Sequence, residues 1–294
     1  MFLFRVSPLL FICLSLSANS THYHTTDWMP ESSFTQGIEG PAVDNKGNLY
    51  AVNFTKEGTV GVISGENKGR IFLTLENNSI ANGIRFDQQG NMFMADYVNH
   101  NILKYDHLNK KVSVFAHNKA MNQPNDIAIM DNGILFASDP NWKESDGQLW
   151  RINTNGTSTL LEANMGTTNG IEVDPSNSYL YVNESVQRKV WRYNIDVQGN
   201  ISQKVLFHEF TEYGLDGMRT DKEGNLYIAR YGVGEVVVLS TKGEVINRIQ
   251  LKGKHPTNIA FGGKDGQRIF ITMQKRGTIE TFHNNISGRA FNKK

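Results

Sequence analysis

One phrase recurs six times along the chain, and it restricts the fold more than any other feature. Each copy opens on an acid, amide or hydroxyl residue. A short β-prone run, a Gly- or Asn-rich turn and a second, more apolar run follow. The copies open at Glu39 (EGPAVDNKGNLYAV), Asn82 (NGIRFDQQGNMFMAD), Asn125 (NDIAIMDNGILFASD), Asn169 (NGIEVDPSNSYLYVNE), Asp216 (DGMRTDKEGNLYIARY) and Thr257 (TNIAFGGKDGQRIFIT). Successive openings are 43, 43, 44, 47 and 41 residues apart. A period in the low forties with several short strands per unit predicts a radial β-array. The expected fold is therefore all-β, a six-bladed β-propeller. The opening residues share one phase of the repeat, so they should converge on one central channel.

Within each unit, Gly, Asn and Asp clusters separate four short β-rich runs. The last unit lacks a convincing fourth run, because residues 286–294 (ISGRAFNKK) are irregular and basic. Residues 21–37 precede the first unit and have no blade of their own. An unpaired strand edge invites association with other chains. The two ends of the chain are therefore expected to close the ring, with part of 23–30 pairing near 277–283. No helix is expected. Residues 21–294 read as one domain. Before it, residues 1–5 carry a charge, 6–17 are apolar and 18–20 are small or polar, the pattern of a secretory signal peptide. This implies a secreted or periplasmic protein with no membrane segment in its mature form; an uncleaved signal anchor is the alternative. The single cysteine, Cys13, falls inside that leader.

Lys and Arg total 30 against 29 Asp and Glu, a formal net charge of +1. No basic excess is present to follow a phosphate backbone, so charge does not point to nucleic acid as a partner. The four openings Glu39, Asn125, Asn169 and Asp216 form an all-oxygen set, which suits a hard cation such as Ca²⁺. Mg²⁺, Mn²⁺ or Zn²⁺ are further options, although no opening residue is the His or Cys that zinc prefers. Asn and Asp at strand starts often only cap turns. That reading suits a single Asn better than four oxygen-bearing residues in one phase. Asn82 fits a turn cap or a water-mediated contact equally well, and Thr257 reads as structural. His100, His117, His208 and His255 form no Ser-His-Asp pattern.

The segments IEGPAVDNKGNLY, QPNDIAIMDNGILFASDP, TNGIEVDPSNSYLYV, LDGMRTDKEGNLYIARYGVGEVVV and HPTNIAFGG together resemble the gluconolactonase, senescence-marker-protein and luciferin-regenerating-enzyme family. The resemblance covers residues 36–283. It implies a six-bladed propeller with one divalent cation in its channel, ligated at Glu39, Asn169 and Asp216. Asn125 would be a further ligand or a substrate contact. It also implies lactone hydrolysis on a small-molecule substrate, with Asp216 at the reacting centre; whether Asp216 or the cation activates water stays open. Members that hydrolyse phosphotriesters are known, and a non-catalytic binding propeller is the competing class. One departure stands out. Sugar-lactone enzymes often carry Arg where this chain has Gln123, which predicts a less polar or less acidic lactone. Asp139, in the SDP motif, is expected near the mouth as a substrate contact or a turn residue.

Overall fold

The computed structural model describes residues 23–291. Six four-stranded antiparallel sheets surround a channel, and in five of them the strands follow chain order from the axis outwards. The innermost strands are Ala42–Val43, Ala81–Phe86, Ile127–Ile129, Thr168–Val173, Met218–Thr220 and Pro256–Gly262. None of the described residues is helical. The blades are numbered one to six below.

Repeated local chemistry shapes each unit. In blades one, two and five an Asp at the end of the inner strand accepts from the backbone N–H four residues later. The pairs are Asp44 with Asn48 (2.8 Å), Asp87 with Asn91 (2.8 Å) and Asp221 with Asn225 (2.9 Å). The glycine in the turn adopts the left-handed conformation, with φ of 83° at Gly47 and 86° at Gly224, which costs a residue without Cβ little. Second strands such as Leu49–Val52 and Leu226–Arg230 are buried throughout, whereas an outer strand such as Lys111–His117 is largely exposed. The core consists of six apolar clusters, each drawn from two consecutive blades. One of them joins blade six to blade one through Phe34, Phe54, Phe270 and Ile279, so the ring has no open interface.

The chain ends close that ring as the repeat pattern requires. Thr26–Asp27 is the outer strand of blade six and pairs antiparallel with Thr278–His283, Thr26 opposite Thr281 and Asp27 opposite Glu280. Arg276 reinforces the seam through Asp27 (2.9 Å) and Glu31 (2.7 Å). The closing strand is two residues long and lies inside the expected span 23–30. Residues 286–291 form no blade strand. They run beneath the channel, where Gly288 bridges Asp221 and the Arg289 N–H donates to Thr220 O at 3.1 Å. The expected leader, residues 1–20, lies outside the described residues.

Candidate active site

The opening residues do converge. Glu39, Asn82, Asn125, Asn169, Asp216 and Thr257 all line one cavity of about 360 Å³ at the end of the channel where the inner strands begin. Loops that follow the second strands raise its walls with Trp142, Ser185, Tyr231 and Gln274. The six openings differ in what their side chains have left to offer. Thr257 is fully engaged, its hydroxyl donating to Ile38 O (3.0 Å) and meeting Thr272 Oγ1 (2.7 Å). Asn82 donates to the Asn125 backbone carbonyl at 3.1 Å. Asn125 Oδ1 and Asn169 Oδ1, by contrast, are buried without any hydrogen-bond partner. Two unsatisfied amide oxygens in one cavity are costly unless something accepts them as donors of electron pairs.

The two acids beside them are under the same kind of stress. Glu39 is buried, and its Oε2 accepts from Gly40 N (2.7 Å) and Asn258 Nδ2 (3.0 Å). Burial raises its pKa, and the negative charge of Asp126 raises it further. Asp216 is raised well above the usual carboxylate range, first by loss of solvent and then by Glu39. Two desolvated like charges side by side resist double ionisation unless a cation joins them. The donor set of two carboxylates and two free amide oxygens fits a hard divalent cation, whose preferred ligands are oxygens. No group of three or more His, Cys, Asp or Glu able to hold a metal occurs among the described residues. Half of this set is amide, so it falls outside such a grouping.

Below this ring lies a charged layer that the repeat reading missed. Asp126 Oδ1 accepts from Arg85 Nη1 at 3.1 Å, and its Oδ2 lies 3.5 Å from Arg219 Nη1 and 3.2 Å from Asn258 Nδ2. Glu172 pairs with Arg85 (3.7 Å), Arg219 (3.8 Å) and, from the C-terminal tail, Arg289 (3.1 Å). Burial and the nearby Arg85 lower the Arg219 pKa to about 10, which leaves the guanidinium charged at neutral pH. The inner strands approach so closely here that a Cβ on Gly83 would stand 2.3 Å from Asp126 Oδ1, and one on Gly217 2.0 Å from Asn258. Those glycines make room for the side chains that fill the axis.

Two further expectations resolve differently. Gln123 lines a side lobe of the cavity, with its side chain free among the described residues. Asp139 does not reach the cavity. It is fully buried, and its carboxylate accepts from the backbone N–H groups of Asn122 (2.9 Å) and Gln123 (2.5 Å) and from the Trp150 indole (3.0 Å). With both oxygens spent inside the protein, Asp139 braces the loop that carries Gln123, which is the turn role among its two expected ones. Among the histidines, His117 meets Asn101 at 2.9 Å, and His255 packs edge-on against the outer side of the site through Tyr231 without itself lining the cavity.

Comparison with known proteins adds to this geometry. The sequence profile described as the SMP-30/Gluconolactonase/LRE-like region matches residues 107–275, more than half of the chain. A gluconolactonase of Zymomonas mobilis is 28% identical over 216 residues, covering 65% of this chain and 60% of that protein. A diisopropyl-fluorophosphatase of Loligo vulgaris is 25% identical over 289 residues, covering 86% of this chain and 90% of its own. Among solved structures, a calcium-binding regucalcin from Agrobacterium tumefaciens superposes with a TM-score of 0.76 at 20% identity, covering 88% of this chain and 93% of its own. At that identity the likeness speaks for the fold.

Proposed function

The chain belongs to the SMP-30/Gluconolactonase/LRE-like family, and from that premise we propose that it is a divalent-cation-dependent lactonase working in the channel-mouth cavity. The observation that carries this reading is the conjunction of two mutually destabilised carboxylates, Glu39 and Asp216, with two orphaned amide oxygens on Asn125 and Asn169. These four residues would hold the ion, calcium by preference for an all-oxygen set. When bound, the cation supplies Lewis-acid polarisation of the lactone carbonyl. Asp216, half-buried in the wall of the cavity, takes a proton from the attacking water and returns it to the ring oxygen as the C–O bond breaks, giving the hydroxy acid. Asn258 and the Gly40 N–H fix the Glu39 carboxylate in place. The leader-like residues 1–20 support export.

The diisopropyl-fluorophosphatase relative, aligned along most of the chain, favours a second activity at the same site, hydrolysis of phosphotriesters. Purified protein should be assayed on a lactone panel and a phosphotriester, with calcium and after chelation. Lactone hydrolysis that chelation abolishes is expected. Asp216→Asn should keep the fold, because Asn opens three other blades, yet lose about a hundredfold or more in kcat, as removal of a general base does. Full turnover by Asp216→Asn would remove that residue from the mechanism. Phosphotriester turnover without lactone turnover would select the second activity, and no turnover of either would leave a binding propeller.

A further inference from the structure

The cavity opens sideways into a second lobe of about 300 Å³, towards blades one to three. The lobes share Gly37, Asn82, Asn125 and Trp142, and the second adds Asn53, Tyr97 and Gln123. Asn53 has nothing left to offer a ligand. Its Nδ2 donates to Gly37 O at 2.7 Å and its Oδ1 accepts from Gly58 N at 3.0 Å. The Tyr97 phenol, the Gln123 amide and the Trp142 indole remain, none of them engaged by another side chain among the described residues. Trp142 is 47% exposed, a large aromatic surface left in water on the loop after the second strand of blade three.

Charge is missing from this lobe. Among the described residues no Lys, Arg or His lines either part of the cavity. Arg230, next to the mouth in sequence, is turned onto the Phe210 ring at 3.8 Å. At the outer rim the Lys275 amine reaches Gln36 at 3.5 Å, and the Glu57 carboxylate lies against Gly37. One rim charge offsets the other, and neither wall of the second lobe can neutralise an anion. Two aromatic faces with three uncharged hydrogen-bonding heads suit a flat or chair-shaped neutral ring: its apolar face packs on the aromatics and its edge meets the phenol, amide and indole. Each lobe is near the lower end of the size range of ligand pockets, about 300–1,000 Å³, with room for one ring apiece.

We propose, on the premise that the protein is a lactonase, that the second lobe binds an uncharged ring carried by the substrate. The preferred substrates are then lactones with a neutral glycosyl or aryl substituent, and Trp142 and Tyr97 set that preference. The reacting ring sits over Glu39, Asn125, Asn169 and Asp216, and its substituent stacks between Trp142 and Tyr97.

The test compares kcat/KM within matched pairs at saturating calcium: δ-valerolactone against its phenyl-substituted analogue, and gluconolactone against cellobionolactone. A phosphorylated gluconolactone serves as the anionic probe. The ring-bearing member of at least one pair should be favoured by about tenfold, the worth of one good aromatic contact. That ratio should collapse in Trp142→Ala and Tyr97→Ala. A response of the phenyl pair alone assigns the lobe to aryl groups, and of the cellobiose pair alone to glycosyl groups. Absence of preference in both pairs, ratios unmoved by both substitutions, or a preference for the phosphorylated probe would overturn the proposal. Failure to open any lactone would instead defeat the lactonase reading. The lobe is then judged by fluorescence titration with the corresponding lactams. Quenching by the phenyl-substituted lactam that exceeds quenching by the bare lactam and is lost in Trp142→Phe supports it; equal quenching overturns it.

Discussion

The mouth and the floor of the central channel contain the same kinds of side chain in opposite states. At the floor, Asp126 and Glu172 face three guanidiniums, Arg85, Arg219 and Arg289, within 3.1–3.8 Å. At the mouth, among the described residues, Glu39 and Asp216 have no cationic side chain along the cavity wall, and two amide oxygens beside them have no partner. A channel built only to hold six blades together would pair its charges along its whole length, as the floor pairs each carboxylate with guanidiniums. Two carboxylates without a cation and two amide oxygens without a partner, gathered in one cavity, mark a place where something else binds.

This contrast can be broken first at the floor. Asp126→Leu leaves Arg85 and Arg219 with Glu172 as their shared carboxylate, and losing one partner of a buried ion pair costs about 3–5 kcal/mol. Urea unfolding should register that loss, and added calcium should not restore it. A cost under about 1 kcal/mol would mean the floor is not the tightly paired layer described. At the mouth the expectation reverses. Without divalent ions Glu39→Gln should be at least as stable as the wild type, because it removes one of two desolvated like charges. With calcium at a hundredfold over its Kd, the wild type should gain about 2.7 kcal/mol and the mutant much less, read as a shift in Tm. An equal shift in both proteins would exclude Glu39 as a ligand.

The smallest effect lies at the seam, where a pair resembling those of the floor meets solvent. Arg276 holds the Asp27 carboxyl below its ordinary value of 3.8. A depressed folded-state pKa stabilises at pH above the unfolded value, and that contribution disappears as pH falls through the folded one. Asp27→Asn should therefore be slightly less stable than the wild type near neutrality, by about 1 kcal/mol or less for so exposed a pair. The difference should vanish once the pH is well below 3.8. A gap that persists in strong acid would show that Asp27 acts through packing.

The mouth was legible in the sequence because each of its residues opens a repeat, and phase alone brings them together. The floor was harder to read, although it leaves a trace. Three residues after each opening, blades one, three and six carry Ala42, Ala128 and Ala260, while blades two, four and five carry Arg85, Glu172 and Arg219. Charges at that position in otherwise apolar runs signal a paired interior. Their partners, however, lie in other blades, 41 residues away for Arg85 with Asp126 and 93 for Arg219 with Asp126. Asp126 and Asn258 likewise stand where four other blades have Gly40, Gly83, Gly170 and Gly217. Arg289 belongs to no repeat, and nothing in the tail marks it. Asp139 was left between two roles because a motif gives position along a strand but not which neighbours claim a carboxylate. Trp142 went unnoticed because a loop between strands has no period to read.

The seam also governs when the molecule can be finished. Asp27 and Arg276 are 249 residues apart, and the strand that begins at Thr26 finds its partner only in the last blade. During synthesis, blades one to five can pair internally as they emerge, each from local contacts. The early segment must wait, its edge uncovered, until almost the whole chain has been made. Contacts of such long sequence separation form slowly and expose intermediates to aggregation. Nascent chains of this protein should therefore depend on a chaperone, or on rapid completion, more than the stability of the closed ring would suggest.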